Sequence, residues 1–592
     1  MTATWQDLVS AALLGTARRK PPVPSLLDAA AQRTVQRRAG VTAAPARDLP
    51  TPAPPDARPH VPDAARRRLA TLLADRSSAG AAGGRRGSAP DLTELLPEWL
   101  QAANTLGYQA PPALLPALLP ALLDAARART DLRRPTLRLA GPRARWLATL
   151  NPTWSYALRE GTDPTDDLAA LFGATDPAAP TAPADPPAPP SPTMPPLDPT
   201  ADTPPARAIR TRWDEGLFAE RVALLVALRR HHPPAAIRLL GSTWRSEKAE
   251  DRLAFLDSLR DGLSMADEAF LEESLDDRSR NVRATAAELL SALPASGLAV
   301  RMGARARAHV SLDPTHPPER PLIAVEAPHE CDVPMQRDGI APKPPSGQGE
   351  RSWWLGRTVE AAPLHIWSEV FGGRSPAEIV ALPVADGWRA DLHAAWSRAA
   401  SRQRDPDWAR ALLGTPGPDS APTTDHRPGP GPGPGPQTSG PQHTAPQHTA
   451  PLTTEPAPGR DPAKLLTALP PAERAAWVAG FIEMHGLTEA FRLLGVCTVP
   501  WPEVLGQAVV DALEIARDSG SYPWSFSGVM GLAERSLDPA HADRLELLTA
   551  IRDEPEDGSP GAAGYWSEAF QRLVSTLRIR AALHTELTGA PS

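Results

Sequence analysis

Glu220-Arg221-Val222-Ala223-Leu224-Leu225 is followed 31 residues later by Asp251-Arg252-Leu253-Ala254-Phe255-Leu256, and a third arginine, Arg283, stands one period further along. Leu228, Leu259 and Leu290 extend the same column. An arginine heading an apolar helical stripe at a fixed period is the signature of a stacked helical repeat, whose units bury their apolar faces only against their neighbours. The pattern predicts helices over Asp214–Arg229, Pro233–Leu240, Glu247–Asp261, Ala266–Ser274 and Arg278–Ala292. Connections this short demand antiparallel packing, so the block is expected to consist of helical hairpins.

Within it, Leu275-Asp276-Asp277-Arg278-Ser279-Arg280-Asn281-Val282-Arg283-Ala284-Thr285-Ala286-Ala287-Glu288-Leu289-Leu290 resembles the second helix of a HEAT repeat. Asp277 stands at the expected cap, Val282 and Arg283 follow, and the alanines allow close helix packing. The period is shorter than the ~40–47 residues usual for HEAT repeats, which implies tight loops. The fold expected is all-α, built of HEAT-like helical hairpin repeats in an α-solenoid-like stack, with Pro-rich disordered linkers.

Outward from this block, now set at 206–310, the chain divides by texture. Residues 1–39 form an N-terminal helical segment in which Trp5, Leu8, Val9, Ala12 and Leu13 share a face and Gly15 stops the helix. Residues 40–90 are a Pro/Gly-rich connection with a short basic helix, and 91–176 a helical domain with a basic stretch. Pro-rich segments at 177–205 and 416–459 read as linkers, since 26 of the 72 prolines fall in 177–205 and 416–458. Residues 311–350 are irregular and Pro-rich, with a short strand expected at Pro321–Glu326, and 351–415 are Trp-rich hairpins. The C-terminal helical domain spans 460–592, its last helix marked by Trp566, Phe570, Leu573 and Leu577 on one face.

The chain of 592 residues carries a formal charge of -7, unevenly: residues 1–150 hold 21 Lys and Arg against 11 Asp and Glu. Arginine outnumbers lysine 58 to four, which reads as GC-rich codon usage rather than as a binding signal. Two cysteines, Cys331 and Cys497, are too few for a disulfide framework or a structural zinc site. No stretch of 18 apolar residues and no signal-peptide pattern is present, so no membrane span and a cytoplasmic location are expected.

Catalytic motifs are missing. No phosphate-binding GxxxxGK[ST] loop, HExxH, paired CxxC or GxSxG occurs. His329-Glu330-Cys331-Asp332 with Asp338 is the nearest approach to a metal cluster, but adjacent residues seldom point at one ion, and a solvated loop is expected. His231 and His232, before Pro233, read as exposed loop residues. No catalytic, cofactor or metal residue is therefore assigned. The candidate partner-binding residues are Arg127, Arg129, Arg133, Arg134, Arg138, Arg143 and Arg145, seven arginines in 19 residues with Trp146 and Trp154 close by. The repeated arginines each have an acid near the helix start, Glu220, Asp251 or Asp277, and are expected to form repeat-to-repeat salt bridges worth ~0–1 kcal/mol each if exposed. Trp213, Trp244, Trp354 and Trp367 are expected in the core.

A wider resemblance comes from separated strings: Trp5 with Ala12-Leu13-Leu14-Gly15-Thr16; Leu96-Pro97-Glu98-Trp99; Ala140-Gly141-Pro142-Arg143-Ala144-Arg145-Trp146-Leu147 with Asn151-Pro152 and Trp154; and Arg337-Asp338-Gly339-Ile340 before Trp353-Trp354-Leu355 and Pro363-Leu364. Together they look like an uncharacterised, actinobacterial-type family of high-GC bacteria known as a domain of unknown function. The resemblance implies gene neighbours that are MoxR-type AAA ATPases, von Willebrand A-domain proteins and SWIM zinc-finger proteins, and brings no catalytic residue with it. The function expected is a non-catalytic helical repeat scaffold or adaptor. Its protein partner would then be a MoxR-type AAA ATPase or a von Willebrand A-domain protein. The alternative is a nucleic-acid-binding or base-processing HEAT-like protein using the arginines at 127–145. Against it, residues 207–295 hold 14 basic and 15 acidic side chains and so offer no basic surface.

Overall fold

The computed structural model describes residues 5–15, 23–40, 51–79, 92–110, 118–159, 198–199, 201–416, 461–551 and 561–589. The Gly80–Pro90 break, most of the 177–205 linker and nearly all of the 416–459 linker lie outside the described residues, so their expected disorder does too. Within the described residues the protein is all-α: 27 α-helices accompany a single two-stranded ribbon. Contacts divide the chain into two compact units, Met1–Asp56 and Ala57–Ser592.

The first unit pairs α1 (Trp5–Leu14) with α2 (Val23–Arg38). Leu8 and Ala11 are buried, and Gly15 ends α1 with a φ of 80°, a conformation that costs glycine little.

The second unit begins with α3 (Asp63–Ala79), α4 (Leu96–Thr105), α5 (Leu118–Ala128), α6 (Arg133–Ala140), α7 (Pro142–Leu150) and α8 (Tyr156–Arg159). Leu69, Leu72, Leu96, Trp99 and Leu122 form their shared core. Gly141 at φ 56° ends α6, and Pro142 starts α7 at the position where its missing N–H is harmless.

The repeat block follows as α9 (Pro204–Glu215), α10 (Phe218–His231), α11 (Pro233–Thr243), α12 (Ala249–Ser258), α13 (Glu268–Ser274), α14 (Arg280–Ser291) and α15 (Gly297–His309). All five helices expected from the period are present, with one correction. Asp214 belongs to the preceding helix, because the chain turns extended at Gly216 (ψ 150°), where a Cβ would come within 2.4 Å of the Arg212 carbonyl oxygen. Each long helix packs on the one a period later, α10 on α12 and α12 on α14, while α10–α11 and α13–α14 close hairpins. The array therefore grows by nearest neighbours, as a solenoid does.

After α15 the strands β1 (Val310–Leu312) and β2 (Ile323–Val325) pair antiparallel, the second falling where a strand was expected. Then come α16 (Val333–Arg337), α17 (Glu350–Ala361), α18 (Ile366–Val370), α19 (Pro376–Ala381), α20 (Arg389–Gln403), α21 (Pro406–Leu413), α22 (Pro462–Ala468), α23 (Pro471–Leu494), α24 (Glu503–Asp518), α25 (Ser527–Ser536), α26 (Ala542–Leu547) and α27 (Ala562–Thr588). α17 packs on α14 and α15, and α20 on α17, so the stacking continues beyond the 31-residue period. Trp367, Phe371, Trp396 and Trp408 interlock in this core, with centroids of Trp367 and Trp396 5.7 Å apart.

α27 shows the apolar face expected of it: Trp566, Phe570, Leu573 and Leu577 are fully buried. Its last two turns go further. Leu583 and Leu587 enter the core of α3–α5, Arg580 pairs with Glu98 at 2.8 Å, Arg68 with Glu586 at 2.7 Å, and the Tyr108 hydroxyl donates to the Leu587 carbonyl at 2.9 Å. The second unit is thus fastened end to start by its C-terminal helix.

Candidate functional site

The arginine ladder lies inside the stack. Arg221 sits over the Trp213 ring at 4.4 Å and the Phe255 ring at 5.3 Å, and pairs with Glu247. Arg252 sits over Trp244 at 5.8 Å, donates to the Glu247 carbonyl at 2.6 Å and pairs with Asp277 at 2.9 Å. Trp213 and Trp244 are themselves 31 residues apart, each eight residues before its arginine, a second column of the same period that sequence reading missed. Salt bridging from repeat to repeat is therefore present, but through acids in the following connection rather than through Glu220 and Asp251. Glu220 instead caps α10, accepting the Leu217 N–H at 2.8 Å. Nor are these exposed pairs: the Arg252 and Asp277 side chains are 2% and 9% exposed. Among the described residues Arg283 takes no carboxylate; it donates to the carbonyls of Asp277 and Arg278. Asp277 is not the cap of α14; the N-cap is Ser279, whose N–H Asp277 accepts at 2.7 Å.

Asp338 anchors the irregular segment onto the array. Its buried carboxylate accepts from Arg301 at 2.7 Å and Arg305 at 2.6 Å, while Arg337 pairs with Asp276 at 2.9 Å. Gly339, at φ 92°, lies so close to α14 that a Cβ would stand 2.5 Å from that of Ala287. Asp332 caps α16 through the Met335 N–H at 2.7 Å, and the His329 side chain is exposed. The residues of the suggested metal cluster therefore go to separate tasks, and among the described residues no three His, Cys, Asp or Glu side chains are placed to hold an ion. His231 is exposed, but His232 is buried, against expectation, and burial and then His231 lower its pKa.

The other resemblance strings serve packing as well. Arg143 donates to the Ala110 carbonyl at 2.6 Å, Asn151 accepts the Thr153 N–H at 3.1 Å, and Trp154 donates to Asp124 at 2.9 Å. Trp353 and Trp354 donate to the carbonyls of Ala341 and Pro342 at 2.9 and 3.1 Å. Of the seven candidate arginines, Arg129 pairs with Asp131 at 2.7 Å and Arg133 donates to the Ala126 carbonyl at 3.2 Å and lies over Tyr156. Arg143 is used as above, and Arg127, Arg134, Arg138 and Arg145 are exposed on α5, α6 and α7.

A cleft of about 750 Å³ opens where the array meets the later helices. One wall comes from the ends of α12 and α14, with Arg260, Leu263, Glu288, Leu289 and Leu293; the other from α20 and α22, with Arg398, Arg402, Arg404, Asp461 and Lys464. Its charge is set from below by Glu360 of α17, 1% exposed, which receives Arg357, Arg398 and Arg402, the last at 3.2 Å. Burial pushes the Glu360 carboxyl up, but Arg357, Arg402 and Arg398 outweigh it and hold it below the ordinary carboxylate value. Glu288 behaves alike: burial raises it, and Arg260, with Arg402 and Arg357, more than offsets that. Arg402 also reaches Ser291 of α14 at 2.9 Å, tying the two walls together. Arg404 ends α20 in the left-handed conformation at φ 54° and is exposed. Residues from four helices and their ends, spread over more than 200 positions from Arg260 to Thr467, converge here, which no local motif could reveal.

A family model described as a family of unknown function (DUF5691) matches residues 7–587. Neither a curated protein nor a solved structure matches the chain.

Proposed function

From the premise that the chain belongs to DUF5691, a family to which no activity is attached, we propose that it is a non-catalytic helical-repeat scaffold or adaptor that binds a protein partner. The observation that carries this reading is the cleft between the array and α20–α22, whose walls are fixed to one another through Arg402 and the buried Glu360. Stacked helices joined by buried ion pairs make a rigid framework, and a preformed cleft on such a framework lowers the ordering cost of binding.

In its finer form the partner is a MoxR-type AAA ATPase or a von Willebrand A-domain protein in the cytoplasm, a choice that rests on the gene company of the family resembled. Among the described residues no helix is long and apolar enough to cross a membrane. Nucleic acid is the lesser reading, because Arg129, Arg133 and Arg143 already serve internal acceptors. The test is affinity purification of the tagged full chain from its native cells, with mass spectrometry of what accompanies it. A near-stoichiometric ATPase or von Willebrand A-domain protein is the expected result; recovery of the chain alone at native abundance overturns the scaffold.

A further inference from the structure

We infer that the cleft is the docking site for an acidic peptide segment of the partner, one in which carboxylates alternate with leucine-like side chains. The inference deepens the scaffold reading and rests on it only for the partner being a protein. Charge comes first. Three guanidiniums share the buried carboxylate of Glu360; Glu288 also faces Arg402 and Arg357 but is itself paired with Arg260, so cations stay in excess at the hub. Arg398 uses only its Nε for Glu360, and its two Nη groups make no hydrogen bond among the described residues. The Arg404 side chain makes no ion pair or hydrogen bond among them, and the Lys464 ammonium has only Asp461, at 3.7 Å. Donors are thus left over along one wall of the cleft, in the fork geometry that takes carboxylates in pairs.

Apolar surface comes second. Leu263, half-buried, with the buried Leu289 and Leu293 behind it, lines the wall that faces Arg398, Arg404 and Lys464 and offers contact to the side chains that separate successive acids. The same lining argues against a nucleic acid strand. Among the described residues no aromatic ring lines the cleft to stack a base, and Glu288 and Asp461 in its lining would repel an unbroken row of phosphates.

The experiment is fluorescence anisotropy of the intact chain with a labelled peptide of alternating glutamate pairs and leucines, beside its glutamine counterpart and a single-stranded DNA of equal charge. Wild-type protein is expected to bind the acidic peptide in a salt-sensitive manner and the glutamine peptide at least about tenfold more weakly. Arg404→Glu with Lys464→Glu, both outside the buried hub, is expected to reduce acidic-peptide affinity about tenfold or more, since each swap replaces attraction by repulsion. Unchanged affinity in that double variant, equal binding of the glutamine peptide, or tighter binding of the DNA overturns the inference. The two readings fail separately. A native partner that still co-purifies with the double variant leaves the scaffold standing and removes the cleft as its seat, whereas peptide binding by a chain that recovers no protein does the reverse.

Discussion

Replacing Arg252 by methionine tests whether the repeat period is held by the buried arginines. Arg252 is almost fully enclosed, donates to the Glu247 carbonyl at 2.6 Å and to Asp277 at 2.9 Å, and faces the Trp244 ring. Methionine fills much of the volume but supplies no donor. It leaves Asp277, 9% exposed, with the Ser279 N–H as its remaining short partner. Removing one member of a buried pair costs about 3–5 kcal/mol, because the other charge is stranded. For the second unit melting as one, about 400 described residues with an unfolding entropy of ~2.1 cal/mol/K each, that corresponds to a fall in Tm of roughly 4–6 °C. Arg245→Met is the control: its 3.2 Å pair with Glu273 has side chains 90% and 68% exposed, and no resolvable change is expected. Adding Asp277→Asn to Arg252→Met removes the stranded charge, so the double variant should be more stable than the two single losses summed. Differential scanning calorimetry on the five proteins, Asp277→Asn alone among them, reads all of this. An Arg252→Met chain that melts with the wild type, or a control that melts as low as Arg252→Met, refutes the account of how neighbouring repeats are joined.

The remaining predictions concern other joints of the second unit and the basic stretch. Gly339→Ala forces a side chain onto Ala287 at a φ of 92° and should cost about 1–3 kcal/mol, read as a lower Tm, with Ala287→Gly recovering the contact but not the backbone strain. Because the folded pKa of Glu360 lies below its unfolded value, its stabilisation is fully present above about pH 4.3 and is lost as pH falls through the folded pKa. Wild-type Tm should therefore drop on acidification below that value, and Glu360→Gln, already less stable near neutrality, should show a flatter acid limb. Arg580→Met removes a buried guanidinium that joins α27 to Glu98 and to the Leu537 carbonyl at 2.6 Å, so limited proteolysis should release the C-terminal helix faster than in wild type while Arg578→Met, whose pair is half exposed, should not. In a gel-shift titration over salt, the full chain should show no steep salt dependence of DNA retention; a slope abolished by Arg127→Glu, Arg134→Glu and Arg145→Glu would favour the nucleic-acid reading.

What could be read from the chain alone was whatever repeats at short range. The stripe Trp566, Phe570, Leu573, Leu577 declares its buried face by spacing, and all four side chains are indeed enclosed. The ladder was visible for the same reason, yet its partners were misassigned. A sequence shows that Arg252 follows Asp251, whereas only the stack shows that its guanidinium passes over Trp244 to the next connection and meets Asp277. The column Trp213, Trp244 held that information, since a flat ring eight residues before each arginine marks where the guanidinium must lie. Gly216 is a local stop, for its close approach is to the carbonyl of Arg212, four residues back on the helix that it ends, and a lone glycine inside an apolar pattern does not announce that role. The cleft had no local trace at all. Arg260, Arg398 and Lys464 are unremarkable in their own segments, and their meeting depends on stacking that carries α20 and α22 back beside α12 and α14. Glu360 is the exception, for it is a carboxylate on the inner side of a Trp-rich helix, where a charge persists only if cations come to it. A buried acid in an arginine-rich chain with four lysines is therefore the better guide to where such a protein concentrates positive charge than any run of arginines along the sequence. In this chain the run at 127–145 is partly turned to internal acceptors, while the acid at 360 gathers three arginines beneath an open cleft.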